Sequence, residues 1–262
     1  MSKQEKTTEY TQMNIVHEIS RLNNEGLQLL ISANKKFNLT ARRKISQALT
    51  LVNHHAASVV VNGDSTVSKA VFYHHQEIEA ALLTNTVPVP GLDDECLYIH
   101  QQGFVLDPAV LLMDPSSTYN LAAAAILFNL GLACHQYGIQ HHDHGQLHSA
   151  CRVYELCTQF SLIQVGGPDL PEAPINRYDQ YLQVVSWAAL NNQSQIMYQY
   201  LDQKVSATDL LHRCLAPAIA VATTDTSFHP SNFLTSDQVD EIILNMVMMS
   251  RTGWSVVASP AA

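Results

Sequence analysis

Histidine and cysteine side chains crowd one stretch of the chain and could together hold a metal ion. Five histidines fall within fourteen residues, with a cysteine near each end of the run. The group comprises Cys134, His135, His141, His142, His144, His148 and Cys151. Zinc and copper accept imidazole and thiolate ligands. His144 and His148 are four residues apart, which is the spacing of two ligands on one helix face.

The same stretch also has the composition of a hydrated turn. Residues 141–144 are all polar and are predicted to form a flexible loop without fixed geometry, and Gly145 would fray a helix that carries His144. A second pair, His75 and Glu79, has the helical spacing of an exposed face. We therefore predict no metal or other cofactor, and keep His144 and His148 as the candidate ligands.

No catalytic signature is present in the sequence. The phosphate-binding, dinucleotide-binding, serine-hydrolase and zinc-protease patterns GxxxxGK[ST], GxGxxG, GxSxG and HExxH are all missing. A nucleophilic cysteine needs an exposed thiol beside a histidine, but Cys157 and Cys214 fall at small-residue packing positions. The sequence thus predicts a protein that is not an enzyme and has no catalytic residue.

Composition limits the class of partner. Charged residues make up 14% of the 262-residue chain, against about 25% in a typical domain, and the formal net charge is −9. A protein that binds the phosphate backbone needs clustered lysine and arginine. Nucleic acid is therefore excluded as a partner.

The cysteines and the N-terminus indicate a compartment. The five cysteines are odd in number and include no CxxC pair, which favours reduced thiols. Residues 1–10 are polar and resemble no signal peptide, and no run of roughly 18 consecutive apolar residues occurs. We predict a cytoplasmic or nuclear protein without a membrane partner.

Two helices at the middle of the chain organise the predicted fold. Residues 120–137 are apolar nearly all round, so this helix must be covered on most sides. A second helix begins near Gly145 and packs back through a stripe of apolar residues at helical spacing. The stripe is Leu147, Ala150, Val153, Tyr154 and Cys157.

The remaining elements are predicted from periodicity and turn signals. Further helices are expected at 11–36, 40–57, 66–83, 175–201, 206–221 and 239–254. A strand is expected at 58–61, with residues 97–106 pairing either with it or on themselves as a hairpin. We thus predict a loose N-terminus (1–10), one helical domain (11–254) with a β insertion (58–106), and a tail (255–262).

One spacing occurs three times: a small residue, a larger apolar one four positions later, and a small one after three more. The instances are Ala41-Ile45-Ala48, Ala150-Tyr154-Cys157 and Ala207-Leu211-Cys214. Helices that cross closely need small side chains at the nearest approach. Each instance follows a helix that carries asparagine: Asn23-Asn24, Asn129 and Asn191-Asn192.

The central unit, Asn129-Leu130-Gly131-Leu132-Ala133 followed by Gly138 and by Ala150, Tyr154 and Cys157, resembles a tetratricopeptide repeat. With its YIHQQGFVL stretch, its YNLA and YELC helices and its Asn-Asn helix, the chain is similar to a divergent tetratricopeptide-like family abundant in diatoms and related algae. The resemblance covers about residues 20–250. The units lie farther apart than the ordinary repeat of about 34 residues.

The resemblance implies a mainly α-helical, right-handed superhelix of antiparallel helix pairs with a general role in binding. The first helices of the three pairs would line a concave groove that takes a peptide or helix of a partner protein. The predicted groove residues are Arg21, Asn24, Gln28, Phe128, Leu132, His135, Asn192, Ile196 and Gln199. Since Arg21 is the only cation among them, an uncharged ligand fits better than a C-terminal carboxylate.

Alternatives remain open at the level of the sequence. Asn24, Asn129 and Asn192 can instead hydrogen-bond neighbouring helices. The chain can be a metal-dependent or cryptic enzyme that uses the histidine-rich turn at 135–148. It can also be a self-associating structural protein, a possible homo-oligomer formed through the C-terminal helix that carries Met248 and Met249.

Overall fold

A computed structural model describes residues 3–32, 38–61, 86–88, 99–112, 115–162, 177–212 and 240–249. The described part is 87% helical, which confirms the predicted mainly α class. The helices are α1 (Lys3–Ile31), α2 (Asn38–Val61), α3 (Pro108–Leu111), α4 (Pro115–His141), α5 (His144–Leu162), α6 (Arg177–Gln199), α7 (Lys204–Leu210) and α8 (240–249). Strands β1 (Thr86–Pro88) and β2 (Gln102–Phe104) pair antiparallel, with Val87 opposite Gly103.

Helix α4 is the centre of the fold, as its composition predicted. Residues 121–129 and 131–136 are all buried, because α2 and α5 pack against the helix and α6 also contacts it. The stretch Asn120–His141 is long and apolar enough to cross a membrane, but 83% of its most apolar window is buried inside the protein. Burial among the other helices accounts for its hydropathy.

The helices pack in the order of the chain. Helix α2 lies against both α1 and α4, and α5 lies against both α4 and α6, with α7 packed on α6. A separate apolar cluster joins α6 and α7 to α8, where Trp187 and Leu211 meet Ile242 and Met249. The outcome is three successive helix pairs, α1/α2, α4/α5 and α6/α7, which pack one after another.

The predicted small-residue seams are buried. The seam residues Ala41, Ile45, Ala48, Ala150, Tyr154, Cys157 and Ala207 are all 0% exposed, and Leu211 is 1% exposed. Cys214 lies outside the described residues. In the central pair, Gly138 faces Leu147, Gly131 faces Tyr154, and the Cys157 thiol lies 3.4 Å from the Ala124 carbonyl oxygen. The residue numbers fall along α4 while those of their partners rise along α5, so the two helices run antiparallel.

Glycine is required where α4 meets Tyr154. A Cβ built on Gly131 would lie 2.7 Å from Tyr154 Cδ1, and the Tyr154 ring, fully buried, has no space to withdraw into. We expect Gly131→Ala to lower the free energy of unfolding by about 1–2 kcal/mol, because overpacking outweighs the gain of roughly 1 kcal/mol in helix propensity.

The matched control is Gly145→Ala at the exposed start of α5, where the nearest atom to an added Cβ is the Asp143 side-chain oxygen at 3.2 Å. Chemical denaturation of both variants measures the difference. Equal stabilities for the two variants would contradict this account of the seam.

Three predicted elements are corrected by the structure. Residues 3–10, expected to be loose, are helical, since their polar side chains are compatible with a helix that continues into the apolar stripe of α1. Residues 58–61, expected as a strand, continue α2; β-branched residues only weakly disfavour helix. Strand β2 therefore pairs neither with 58–61 nor with itself, but with β1.

The turn between α4 and α5 is also tighter than predicted. Helix α4 continues to His141, and α5 begins at His144. His142 has φ 50°, and the His142 and Asp143 amides donate to the carbonyl oxygens of Ile139 and Gly138, which is a Schellman helix end. The Asp143 carboxylate accepts from the Gln146 amide and caps α5. These bonds give the predicted flexible loop a defined geometry.

Several predictions fall on residues outside the described ranges. These are the helix at 66–83, the continuation of the 206–221 helix beyond residue 212, the loop after α5, and the tail at 255–262.

Candidate functional site

A non-helical segment, residues 99–106, lies against the first helices of all three pairs. It contains β2 at its centre. Ile99, His100, Phe104 and Leu106 are each no more than 3% exposed. Three asparagines, one on each first helix, hold the backbone of this segment; together with it they form what we call the asparagine groove.

Asn192 on α6 holds His100. Its side-chain oxygen accepts from the His100 amide at 2.8 Å, and its side-chain nitrogen lies 2.9 Å from the His100 carbonyl oxygen and donates to it. The same nitrogen lies 3.3 Å from the Tyr154 hydroxyl. Both backbone groups of one residue are therefore satisfied by one side chain.

Asn129 on α4 makes the same pair of bonds with Phe104. It accepts from the Phe104 amide and donates to the Phe104 carbonyl oxygen, both at 2.8 Å. It also donates to Asn23 at 2.9 Å, and Asn23 donates to the same Phe104 carbonyl at 3.0 Å. Asn129 thus joins α1, α4 and the segment in one buried network.

Asn24 on α1 holds Leu106, the third residue bound in this way. It accepts from the Leu106 amide at 2.9 Å and donates to the Leu106 carbonyl oxygen at 2.8 Å. The segment therefore passes from α6 across α4 to α1, opposite to the order of the helix pairs in the chain.

The three asparagines occupy equivalent positions of their pairs. Each stands two residues before a small residue: Gly26 after Asn24, Gly131 after Asn129, and Ser194 after Asn192. Gly26 faces Ile45 just as Gly131 faces Tyr154. In these two pairs the glycine brings the second helix close and fixes the rotation of the first helix, so the asparagine two positions earlier faces the segment.

The segment is bound along both edges. Alternate residues of a strand direct their N–H and C=O groups to opposite edges. Because Phe104 uses both groups for Asn129, the pairing of β2 with β1 lies along the other edge. The backbone at the centre of the segment is thus enclosed between a helix and a strand.

Aromatic rings enclose the side chains of the segment. The Phe104 ring lies 5.1 Å from the Phe128 ring, edge to face, and the His100 ring lies 5.7 Å from it. Phe128 in turn contacts Tyr154 at 5.7 Å. The groove binds apolar side chains through these rings and binds the backbone through amides.

Burial controls the ionisation of the site. Desolvation lowers the pKa of His100 to about 4 and raises that of Tyr154 well above its ordinary value, so both are neutral near pH 7. At the α1 end, Arg21 pairs with Glu18 and Glu25, and Lys44 also pairs with Glu25. Hydrogen bonds from Lys44 and Arg21 lower the pKa of Glu25.

The predicted groove residues fall into three groups. Asn24 and Asn192 bind the segment backbone, and Phe128 contacts its rings. Leu132, His135 and Ile196 are buried in the core, and the His135 ring packs edge-on against Tyr154. Arg21 and Gln28 line an open depression beside Asn24, and Gln199 is half-buried and bonded to Gln195.

Asn129 and Asn23 belong to the groove but were not among the predicted groove residues. The signal for Asn129 was present in the repeat, since it precedes Gly131 by the same two positions that separate Asn24 from Gly26. The alternative in which these asparagines bond to neighbouring helices describes the Asn129–Asn23 and Asn192–Tyr154 bonds. It does not describe the bonds to residues 100, 104 and 106.

The histidine-rich turn gives no metal centre within the described ranges, where no three His, Cys, Asp or Glu side chains are grouped for one ion. His141 stacks on Tyr137 with ring centroids 4.0 Å apart, and His144 and His148 are exposed. Within the described ranges, Cys134, Cys151 and Cys157 are not joined in disulfides. Burial raises the pKa of all three, that of Cys151 to about 12.

The two methionines of the C-terminal helix differ in their surroundings. Met249 is fully buried against α6 and α7, whereas Met248 is 44% exposed. Asn245 of the same helix donates to Asn191 at 2.8 Å. Replacing both methionines would therefore disturb the core as well as the surface.

Comparison of the chain with family models, with curated protein sequences and with solved structures gave no match.

Proposed function

We propose that the protein is a non-catalytic interaction module, a tetratricopeptide-like stack of helix pairs, whose asparagine groove binds an extended segment of a partner protein. One observation carries the proposal. Asn24, Asn129 and Asn192 each bind the N–H and C=O of one residue of an extended chain. Such bonds depend on the backbone and its register, so a second polypeptide can make them.

Segment 99–106 occupies the groove and competes with a partner. A tethered segment acts at an effective concentration on the order of millimolar. A partner segment that makes identical contacts would therefore displace the resident segment from half of the molecules only at a concentration near millimolar. Tighter contacts, or a loosened resident segment, are needed for binding at lower concentration.

The tetratricopeptide-like part of the proposal is supported by the packing. Each of the first two pairs places a glycine of its first helix against a large residue of the second, Gly26 against Ile45 and Gly131 against Tyr154. Placement in the cytoplasm or nucleus stays a prediction from the sequence.

The experiment loosens the resident segment and supplies it as a peptide. Leu106→Ala removes a side chain that is 1% exposed and weakens the hold on the segment, at a cost of about 2–5 kcal/mol. A fluorescent peptide with the sequence of residues 97–107 is titrated into this variant and into the wild-type chain. We expect binding to the variant and at least tenfold weaker binding to the wild type.

The control addresses the backbone directly. Methylating the peptide nitrogen that matches Phe104 removes the N–H that Asn129 accepts and leaves every side chain in place. A buried acceptor left without its donor costs about 1–3 kcal/mol, so we expect about 10- to 100-fold weaker binding. Methylation at the position of Val105 serves as the matched control. A folded Leu106→Ala chain that binds no peptide would contradict the proposed function.

A further inference from the structure

The groove sets the register and the chemistry of the segment that it takes. We infer that the partner segment presents uncharged residues at three positions, the second four residues and the third six residues after the first, and that it runs from α6 towards α1. This inference rests on the proposed function and names its partner class.

The register follows from the backbone bonds. Residues an even number of positions apart in an extended chain direct N–H and C=O to the same edge. The three bound residues, His100, Phe104 and Leu106, satisfy that condition. One additional residue between the first and second positions would turn the backbone groups at α4 and α1 to the opposite edge.

The chemistry follows from burial at those positions. The side chains of His100, Phe104 and Leu106 are 1–3% exposed. The ring contacts described for His100 and Phe104 are to aromatic groups, and burial favours neutral His100. A charged side chain at these positions would lose its hydration, which is strongly unfavourable unless a counter-ion replaces it.

The intervening residues follow a different rule. Gly103 is buried, whereas Gln101, Gln102 and Val105 are only partly buried, with one side of Val105 against the core. A charged side chain at a partly buried position can keep its charged end in water and loses little hydration. The partner is therefore defined by a spaced pattern of three uncharged residues and not by a wholly apolar sequence.

Two matched peptide pairs test the inference on the full-length Leu106→Ala chain. In the first pair, one glycine is inserted either between the residues matching Gln101 and Gln102 or after the residue matching Asp107. In the second pair, lysine replaces the residue matching either Phe104 or Val105. The parent peptide is that of residues 97–107.

The internal insertion and the Phe104→Lys peptide are expected to bind about 100-fold or more weakly than the parent. The terminal insertion and the Val105→Lys peptide are expected to stay within about fivefold of it. Parent binding together with unchanged binding of the internal insertion would overturn this inference and leave the proposed function standing. If the parent peptide does not bind a folded Leu106→Ala chain, both this inference and the proposed function are contradicted.

A second measurement covers the case in which Leu106→Ala does not fold. The wild-type chain is mixed with millimolar parent or insertion peptide, and amide hydrogen exchange is followed at residues 100, 104 and 106. Displacement of the resident segment by the parent peptide alone is the expected result. Equal displacement by both peptides would refute the register.

Discussion

Asn129→Ala is expected to lower the free energy of unfolding by roughly 2–6 kcal/mol. The substitution removes the acceptor of the Phe104 amide and the donor to Asn23. Each buried group left without a partner costs about 1–3 kcal/mol. The Phe104 carbonyl oxygen keeps its bond from Asn23, so it adds nothing to the expected loss of stability.

Urea denaturation measures this loss, with Asn14→Ala as the matched control. Asn14 is an exposed asparagine of α1, so its replacement is expected to change stability by no more than about 0.5 kcal/mol. Amide exchange at Phe104 gives a second readout, because loss of Asn129 should accelerate exchange there more than in the middle of α4. A variant within 1 kcal/mol of the control would show that Asn129 does not hold the segment.

Acidification is expected to destabilise the protein through His100. Burial lowers the pKa of this ring from 6.5 to about 4, so the folded state disfavours the charged form. Above pH 6.5 neither state binds the proton and His100 has no effect. As the pH falls from 6.5 to 4, only the unfolded or released segment is protonated, and stability falls by about 3 kcal/mol. Below pH 4 both states are protonated and the loss from His100 levels off.

His100→Phe isolates this contribution from the other histidines. Phenylalanine keeps an aromatic ring beside Phe104 and Phe128 but does not titrate. Denaturation between pH 7 and pH 4 should show a steeper loss of stability in the wild type than in the variant, by about 3 kcal/mol over the interval. Parallel curves would mean that His100 does not stay neutral in the folded protein.

The two experiments together describe how firmly the resident segment is held. If His100 is protonated only after release, mild acid loosens the α6 end of the segment first. A peptide of residues 97–107 with phenylalanine at the position of His100 does not titrate there, so its binding to the wild-type chain should strengthen as the pH falls towards 5, in the same window in which stability is lost.

The sequence predicted the helices better than the site. Helix α4 and the seam residues Ala150, Tyr154 and Cys157 were identified because apolar periodicity follows directly from burial. The strand predicted at 58–61 was wrong because three valines favour a strand only where a neighbouring strand exists to pair with. The partner of β2 could not be predicted, since Thr86–Pro88 is only three residues long and precedes β2 by more than a dozen residues.

The asparagines show the limit most clearly. A buried asparagine in a helix has the same sequence signature whether its amide bonds to another helix or to a separate segment. Asn24 and Asn192 were identified by their position in the repeat, but their ligand was not. The pairing of Asn192 with His100 joins residues 92 positions apart, and no local pattern encodes such a contact.

The sequence by itself determined the central helix, the buried seam residues and which helices pair, because hydrophobic spacing and small-residue seams act through near neighbours and nonspecific burial. Only the tertiary structure decided that residues 99–106 lie in the groove and that three asparagines bind their backbone. The physical reason is that hydrogen bonds are directional and short. Their partners are fixed only when distant parts of the chain have been brought within about 3 Å of each other.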